Sequence, residues 1–404
     1  MIKRLWSRNS LDTAVASGWM YGGRVVGLAW AVLMARELGI STYGTYAIAI
    51  ALSALIAIPL DHYFIVRGPR VGTATFLGDR STRLGGGVLL LVVGAALLPA
   101  GFMGGFSIGK AGAEIAFNAA KSEPIRDGHP ALAYRRDTAR QVLSAVITAA
   151  YFLNADDPSL EVIGALTLVS FVPFLVRAGF EARGHRAIRP EMTLRTAAII
   201  GEAVGGAVYS QADIVLVGSL ASHASAGYYA YGSLLVWSLA AVGQNYSYTF
   251  NATLREADGH RHAGPALRPT TLLSVGLGLL VAVVAVVMAV SGAPHELWVT
   301  FAILAPVTVL RTMSSVFTTV LMVQHRDQFR TAVTWLSAGV KFAILVLIAT
   351  HGSPAAAVAF LVSDLVLTSI YGLAVHRSPE VGAGGVRDAR GIPPVEGPND
   401  DPRW

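Results

Sequence analysis

The chain has no cysteine, so it holds no disulfide, no thiolate metal site and no thiol nucleophile. It is also short of charge. Asp, Glu, Lys and Arg make up 14% of its 404 residues against 53% hydrophobic, where a soluble domain carries about 25% charged residues. With a mean hydropathy of +0.55, a soluble fold is excluded on composition alone. The net charge of +6 raises a nucleic-acid reading, but the basic residues sit in short loops between apolar stretches. Positive-inside topology and contact with anionic lipid account for them, and no nucleic-acid partner is expected.

What is present is a series of eleven apolar stretches between residues 14 and 376, most of them near the roughly 20 residues that cross a bilayer. The first is too long for a cleavable signal peptide, carries Arg24 at mid-depth and runs straight into a second span. Loop charges require one more crossing. Arginine and lysine gather at residues 3–8, 67–83, 121–140, 183–195, 255–268 and 326–330, and the loops between these groups are nearly free of both. Basic loops belong in the cytoplasm, and the alternation survives only if the chain crosses again between Gly104 and Lys121. Phe106 to Ala120 is short and carries Lys110, Glu114 and Asn118, and so reads as a degenerate fourth helix shielded by protein rather than lipid. The expectation is a plasma-membrane protein with twelve spans and both termini cytoplasmic. It divides into a six-helix half over residues 1–180, a linker at 181–192, a second six-helix half at 193–376 and a disordered tail at 377–404.

A phrase occurs twice. Gly44-Thr45-Tyr46-Ala47 follows an apolar helix and a short turn, and so does Gly227-Tyr228-Tyr229-Ala230, 183 residues later by the difference 227 − 44. Two halves with the same helix–turn–helix opening point to a carrier in which one half rocks against the other.

Chemistry is expected where charge enters the spans. Arg24 shares a face of the first helix with Ser17 and Tyr21, and an arginine at mid-membrane costs at least about 2.5–3.5 kcal/mol, so an anionic substrate or a carboxylate such as Glu202 must compensate it. Thr308, Arg311, Ser315 and Thr318 form a stripe in the tenth helix at three- and four-residue steps. Lys341 shares a face of the eleventh with Thr334 and Ser337, and either extends a cationic lining or pairs with Asp364. Glu202, Asp213 and Asp364 are candidates for ion coupling or for charge pairing with these cations. Tyr21, Gln244 and Asn245 are candidates for sugar hydroxyls. Asp156-Asp157 lies in too short a loop for catalysis. His260 and His262 read as a solvated loop rather than a metal site, and Gly85-Gly86-Gly87 lacks the lysine of a phosphate loop, so it marks close helix contact instead.

Ala35-Arg36-Glu37-Leu38-Gly39, Tyr43-Gly44-Thr45-Tyr46-Ala47 and Asp61-His62-Tyr63-Phe64-Ile65-Val66-Arg67 together resemble the opening of the polysaccharide transporters, the O-antigen flippase family. Gln211-Ala212-Asp213-Ile214-Val215-Leu216-Val217-Gly218 with Ala226-Gly227-Tyr228-Tyr229-Ala230 resembles that family's seventh-to-eighth helix signature. The resemblance places the chain in the multidrug/oligosaccharidyl-lipid/polysaccharide exporter superfamily. It implies an all-α membrane protein of two six-helix bundles, related by a pseudo-twofold axis around a central cavity. It further implies a flippase that carries a polyprenyl-(pyro)phosphate-linked oligosaccharide from inner to outer leaflet, working as a monomer among membrane lipids, without a cofactor and without enzymatic activity. Arg24, Arg311 and Lys341 would then grip the anionic head. Proton or sodium coupling is left open. A cation-coupled drug exporter on the same fold is the alternative, and a membrane glycosyltransferase or polymerase, which would need a long outer loop, is the weaker one. The fourteen-helix lipid II flippases have two helices more than this chain offers.

Overall fold

A computed structural model describes residues 8–377, apart from residues 69, 70, 128, 191, 192, 251, 252, 255, 256, 258, 259 and 325. Of the expected tail at 377–404, all but Arg377 therefore lies outside the described residues. Among the described residues the chain forms twelve long helices and no strand. The first half holds α1 (Arg8–Leu38), α2 (Ile40–Arg67), α3 (Thr73–Leu97), α4 (Phe102–Arg126), α5 (Pro130–Asn154) and α6 (Leu160–Glu181). The second holds α7 (Leu194–Leu220), α8 (His223–Tyr248), α9 (Leu267–Val290), α10 (His295–Val323), α11 (Asp327–Ile348) and α12 (Ser353–His376). α6 breaks at Ser170–Phe171, just before Pro173, which lacks the N–H a continuing helix needs there.

Eight of these helices are long and apolar enough to cross a membrane, and the protein is a multi-pass membrane protein. The four below that threshold are α1, α4, α5 and α8. All four line the central cavity described below. Their polar side chains have a wet or protein-covered place to go, so hydropathy understates them for the reason that makes them useful.

The fourth helix is longer than the sequence suggests. α4 runs over 25 residues and buries Phe106, Lys110, Ala113, Ala116 and Phe117 along its length. It lies against α3 at backbone contact: a Cβ on Gly94 would collide with the backbone of Gly109, and one on Gly87 would come within 2.7 Å of the Gly112 carbonyl oxygen. Small residues facing each other give two helices the close van der Waals approach that substitutes for a hydrophobic drive inside a bilayer. Of the glycine triplet read as a contact or bend, Gly87 makes the contact, while Gly85 and Gly86 face open space.

At the charge-poor end the two copies of the repeated phrase meet. Gly39, at φ 82°, turns α1 into α2. Ser222 turns α7 into α8 and caps it, its Oγ accepting from the Ser225 amide at 3.0 Å. Gly44 and Gly227, the first residues of the two phrases, then face each other across the halves. A Cβ on Gly44 would overlap the His223 carbonyl, and one on Gly227 would come within 2.7 Å of the Ile40 carbonyl oxygen. Thr45 Oγ1 and His223 Nδ1 are hydrogen-bonded at 2.8 Å, and the Tyr43 and Tyr231 rings stack at 4.6 Å. This end is shut, and only glycine lets it shut so closely.

Gly44→Val is accordingly expected to force the charge-poor mouth open. Overpacking of a tight contact costs about 1–3 kcal/mol, enough to shift an open–closed equilibrium roughly 5- to 150-fold. The absence of native cysteine makes the check direct: spin labels on Ser41→Cys and Ala221→Cys should report a longer distance in Gly44→Val than in the parent. An unchanged distance would show that the seam closes without the glycine contact.

Candidate substrate cavity

Directly beneath that seam lies a cavity of about 420 Å³ between the halves. Trp30 of α1, Tyr43 and Tyr46 of α2, Lys110 of α4, Arg140, Gln141 and Ser144 of α5 and Thr167 of α6 line one side. Gln211 of α7 and Ser233 and Trp237 of α8 line the other. Its walls therefore combine aromatic faces with amides, hydroxyls and two cations.

The cations share one carboxylate. Lys110 Nζ is paired with Glu114 one turn along α4, and Arg140 Nη2 lies 3.8 Å from the same carboxylate. Formally the three groups sum to +1. Arg140 also lies 4.4 Å from the Phe171 ring centroid and 5.5 Å from that of Phe117, which holds its guanidinium in place by cation–π attraction. Its Nε is buried without a hydrogen-bond partner among the described residues, so the charge it offers the cavity comes through the rest of the guanidinium. An anion satisfies such a wall, whereas a cation would meet net repulsion and only a carboxylate already engaged twice.

The structure places the expected site residues elsewhere. Arg24 reaches across the halves, Nη1 donating to the Trp237 carbonyl at 3.1 Å. Asn245 Nδ2 donates to Tyr21 Oη at 3.1 Å, and the Tyr231 hydroxyl donates to the Ala31 carbonyl. These three bonds stitch antiparallel α1 to α8. Gln244 Nε2 donates to the Tyr248 hydroxyl at 2.7 Å on the exposed side of α8. Glu202 is not Arg24's counter-ion; it lies 3.7 Å from Arg330. None of Tyr21, Arg24, Gln244, Asn245, Arg311 and Lys341 is among the cavity-lining side chains.

Arg311, Lys341, Asp213 and Asp364 form a buried cluster within the second half. Lys341 Nζ is paired with Asp213, donates to the Tyr209 carbonyl at 2.9 Å and lies 4.2 Å from the Phe360 ring centroid. Asp213 also accepts from the Tyr229 hydroxyl and from the Ile214 amide. Arg311 lies 3.4 Å from Asp364 and 4.1 Å from the centroid of Trp237, and the Tyr209 hydroxyl bonds Asp364 as well. The alternative partnering of Lys341 with Asp364 is thus exchanged for Asp213, and Asp364 takes Arg311. Gln211 and Asp213 are two residues apart on α7 and so point nearly opposite ways: the amide enters the cavity and the carboxylate enters the cluster.

Sequence reasoning named Lys110 as part of α4 but assigned it no role, and counted Arg140 among loop charges. α5 begins at Pro130, which suits the first position of a helix, so Arg140 is already inside the span. That proline was the available signal. Trp237 was missed altogether, although its ring lines the cavity and supports Arg311 while its carbonyl takes Arg24.

Replacing Arg24 by alanine removes the central bond of the α1–α8 seam. A hydrogen bond made by a charged group is worth about 1.5–3 kcal/mol, so amide exchange along α8 near Trp237 should accelerate roughly 10- to 150-fold in Arg24→Ala, with partial recovery in Arg24→Lys. Exchange unaltered in both variants would mean that α1 and α8 do not depend on this bond.

No protein-family model matches the sequence, and no curated protein matches it. Solved structures do. The chain aligns with the inward-facing conformation of a multidrug resistance MATE family transporter of the MOP superfamily at TM-score 0.60 and 11% identity, covering 90% of this chain and 98% of that one. It aligns with the lipid II flippase MurJ in an inward closed conformation at TM-score 0.61 and 12% identity, covering 89% and 87%. A MOP superfamily transporter from Pyrococcus furiosus, described as having a binding pocket of reversed polarity, aligns at TM-score 0.53 and 12% identity over 91% and 94%. The chain shares its fold with these structures, and its own twelve helices in two bundles are what the sequence resemblance implies.

Proposed function

We propose that the chain is a flippase for a lipid-linked saccharide whose anionic phosphate or pyrophosphate head is held by Lys110 and Arg140. The observation that carries this reading is the charge of the cavity wall: two cations against one shared carboxylate. Arginine grips phosphate oxygens as a fork and lysine as a point charge. Trp30, Tyr43, Tyr46 and Trp237 offer faces for a sugar ring, with Gln141, Ser144, Gln211 and Ser233 able to bond its hydroxyls. The neighbours bracket the choice: one is a lipid II flippase and one is described by reversed pocket polarity, against MATE multidrug transporters. A cation exporter on this fold would want surplus acid at the cavity, and Glu114 offers none to spare.

The arginine-rich end is assigned to the cytoplasm of a plasma-membrane protein, which makes the shut, glycine-sealed end the outer mouth. The substrate head would then be admitted from the inside and released outward once Gly44 and Gly227 part. Each negative charge moved outward gains about 2.3 kcal/mol per 100 mV when the interior is negative, so a pyrophosphate can be driven by the membrane potential alone. Arg24, Tyr21 and Asn245 serve here as a seam between the halves rather than as substrate ligands. Arg311 and Lys341 serve as counter-ions of Asp364 and Asp213.

The test is reconstitution into proteoliposomes with a fluorescent polyprenyl-pyrophosphate saccharide. Protein-dependent movement to the other leaflet, accelerated by an inside-negative potential, is the expected result. No movement, together with pH- or sodium-driven efflux of organic cations, would replace the flippase by the drug exporter.

A further inference from the structure

A second, smaller crevice of about 160 Å³ lies at the arginine-rich end between α2, α3 and α4, and shares no lining residue with the central cavity. We propose that it binds an anionic membrane phospholipid, its phosphate on Arg126 and its acyl chain against Phe64, Ile65 and Ile125. Three cations line the crevice, and two of them are spent. Arg83 is held by both oxygens of Asp61, one at 2.5 Å, and Asn118 steadies that carboxylate at 2.8 Å. Lys121 lies 2.8 Å from each oxygen of Asp137. Arg126 differs: its partners are neutral, the Val71 carbonyl at 3.0 Å, the Thr73 hydroxyl at 3.5 Å and the Phe76 ring at 4.5 Å from its centroid. Among the described residues no carboxylate lies within ion-pair distance of Arg126. The wall thus carries one uncompensated positive charge.

The rim supplies the other half of the argument. Ile65 and Ile125 are 54% and 56% exposed, and both belong to the crevice lining. An apolar rim beside one spare cation fits an amphiphile. A soluble phosphate would use the cation and leave the rim idle, and an uncharged lipid would use the rim and leave the cation unpaired. Basic residues near a membrane surface attract anionic lipid by an amount that corresponds to roughly fivefold in affinity for each. This site is independent of what the central cavity carries.

Native mass spectrometry of the delipidated protein in detergent tests the proposal, with phosphatidylglycerol and phosphatidylcholine of matched chains as probes. The first bound equivalent is expected to favour phosphatidylglycerol, with its affinity about fivefold lower in Arg126→Gln and retained in Arg126→Lys. Ile125→Glu, a change at an exposed position that leaves Arg126 intact, should lower it as well by placing a like charge at the rim. Equal phosphatidylglycerol binding in the parent, Arg126→Gln and Ile125→Glu would overturn the site. Displacement of the lipid by millimolar inorganic phosphate would also overturn it, since the crevice would then serve a soluble anion.

Discussion

Arg140→Ala should leave the protein folded and lower its affinity for the anionic head group about 10- to 150-fold, the range that corresponds to a charge-assisted hydrogen bond of about 1.5–3 kcal/mol. The fold survives because Glu114 keeps Lys110 as its partner, and because Arg140 stands at the edge of a cavity, where part of the vacated space opens to it. Arg140→Lys should recover part of the loss. An ammonium restores the charge but not the planar fork, so the shortfall between lysine and arginine measures how much of the grip is geometric. The double variant Lys110→Ala, Arg140→Ala goes further. It leaves Glu114 without either cation and turns the wall from a formal +1 to −1, so organic cations should begin to bind where the saccharide lipid no longer does. Isothermal titration with a soluble pyrophosphate sugar, and separately with a lipophilic cation, reads both halves of this. If Arg140→Ala transports and binds as the parent does, Lys110 and Arg140 are a structural ion cluster and the anion reading of the cavity fails.

The sequence made the twelve-helix, two-half organisation legible because two independent signals agreed. The repeated Gly-Thr-Tyr-Ala and Gly-Tyr-Tyr-Ala phrases gave the symmetry, and the alternation of basic loops gave the crossing that hydropathy hid. The structure adds the physical reason for the repeat: Gly44 and Gly227 must both be glycine to face each other at backbone distance. The site was less legible. Arg24 looked costly at mid-membrane, and the structure shows a backbone carbonyl of α8 accepting a hydrogen bond from it. One-dimensional patterns show that a charge is inside but not what meets it from the other half. Arg140 was hidden by the opposite error, a helix that starts well before its apolar stretch and so carries a loop-like arginine into the membrane. α4 illustrates a third cause. Its charges and glycines read as weakness against lipid, but it is covered by α2, α3, α5 and α6 and needs no apolar surface of its own.

Lys341→Met should be among the most destabilising single changes in the molecule. Both Lys341 and Asp213 are almost wholly buried, 0% and 2% exposed, and removing one member of such a pair strands the other charge at a cost of about 3–5 kcal/mol. The stranded carboxylate would keep the Tyr229 hydroxyl and the Ile214 amide, which soften the loss without neutralising it. Adding Asp213→Asn to Lys341→Met removes the charge while leaving an oxygen for the Tyr229 hydroxyl, so the double variant should recover most of the stability. Thermal unfolding of the purified protein in detergent measures this coupling as a double-mutant cycle. The same variants decide between charge pairing and ion coupling for Asp213. With the tethered ammonium gone, sodium that binds the folded Asp213 site stabilises it by mass action, so Lys341→Met should gain thermal stability with added sodium chloride over choline chloride while the parent gains none. A parent that is itself stabilised selectively by sodium would show that Lys341 leaves room for a second cation, and Asp213 would then belong to an ion-coupling site. A parent indifferent to sodium, beside a sodium-responsive Lys341→Met, would mean that the lysine stands where an ion would otherwise sit, and that this half carries its own cation through every cycle.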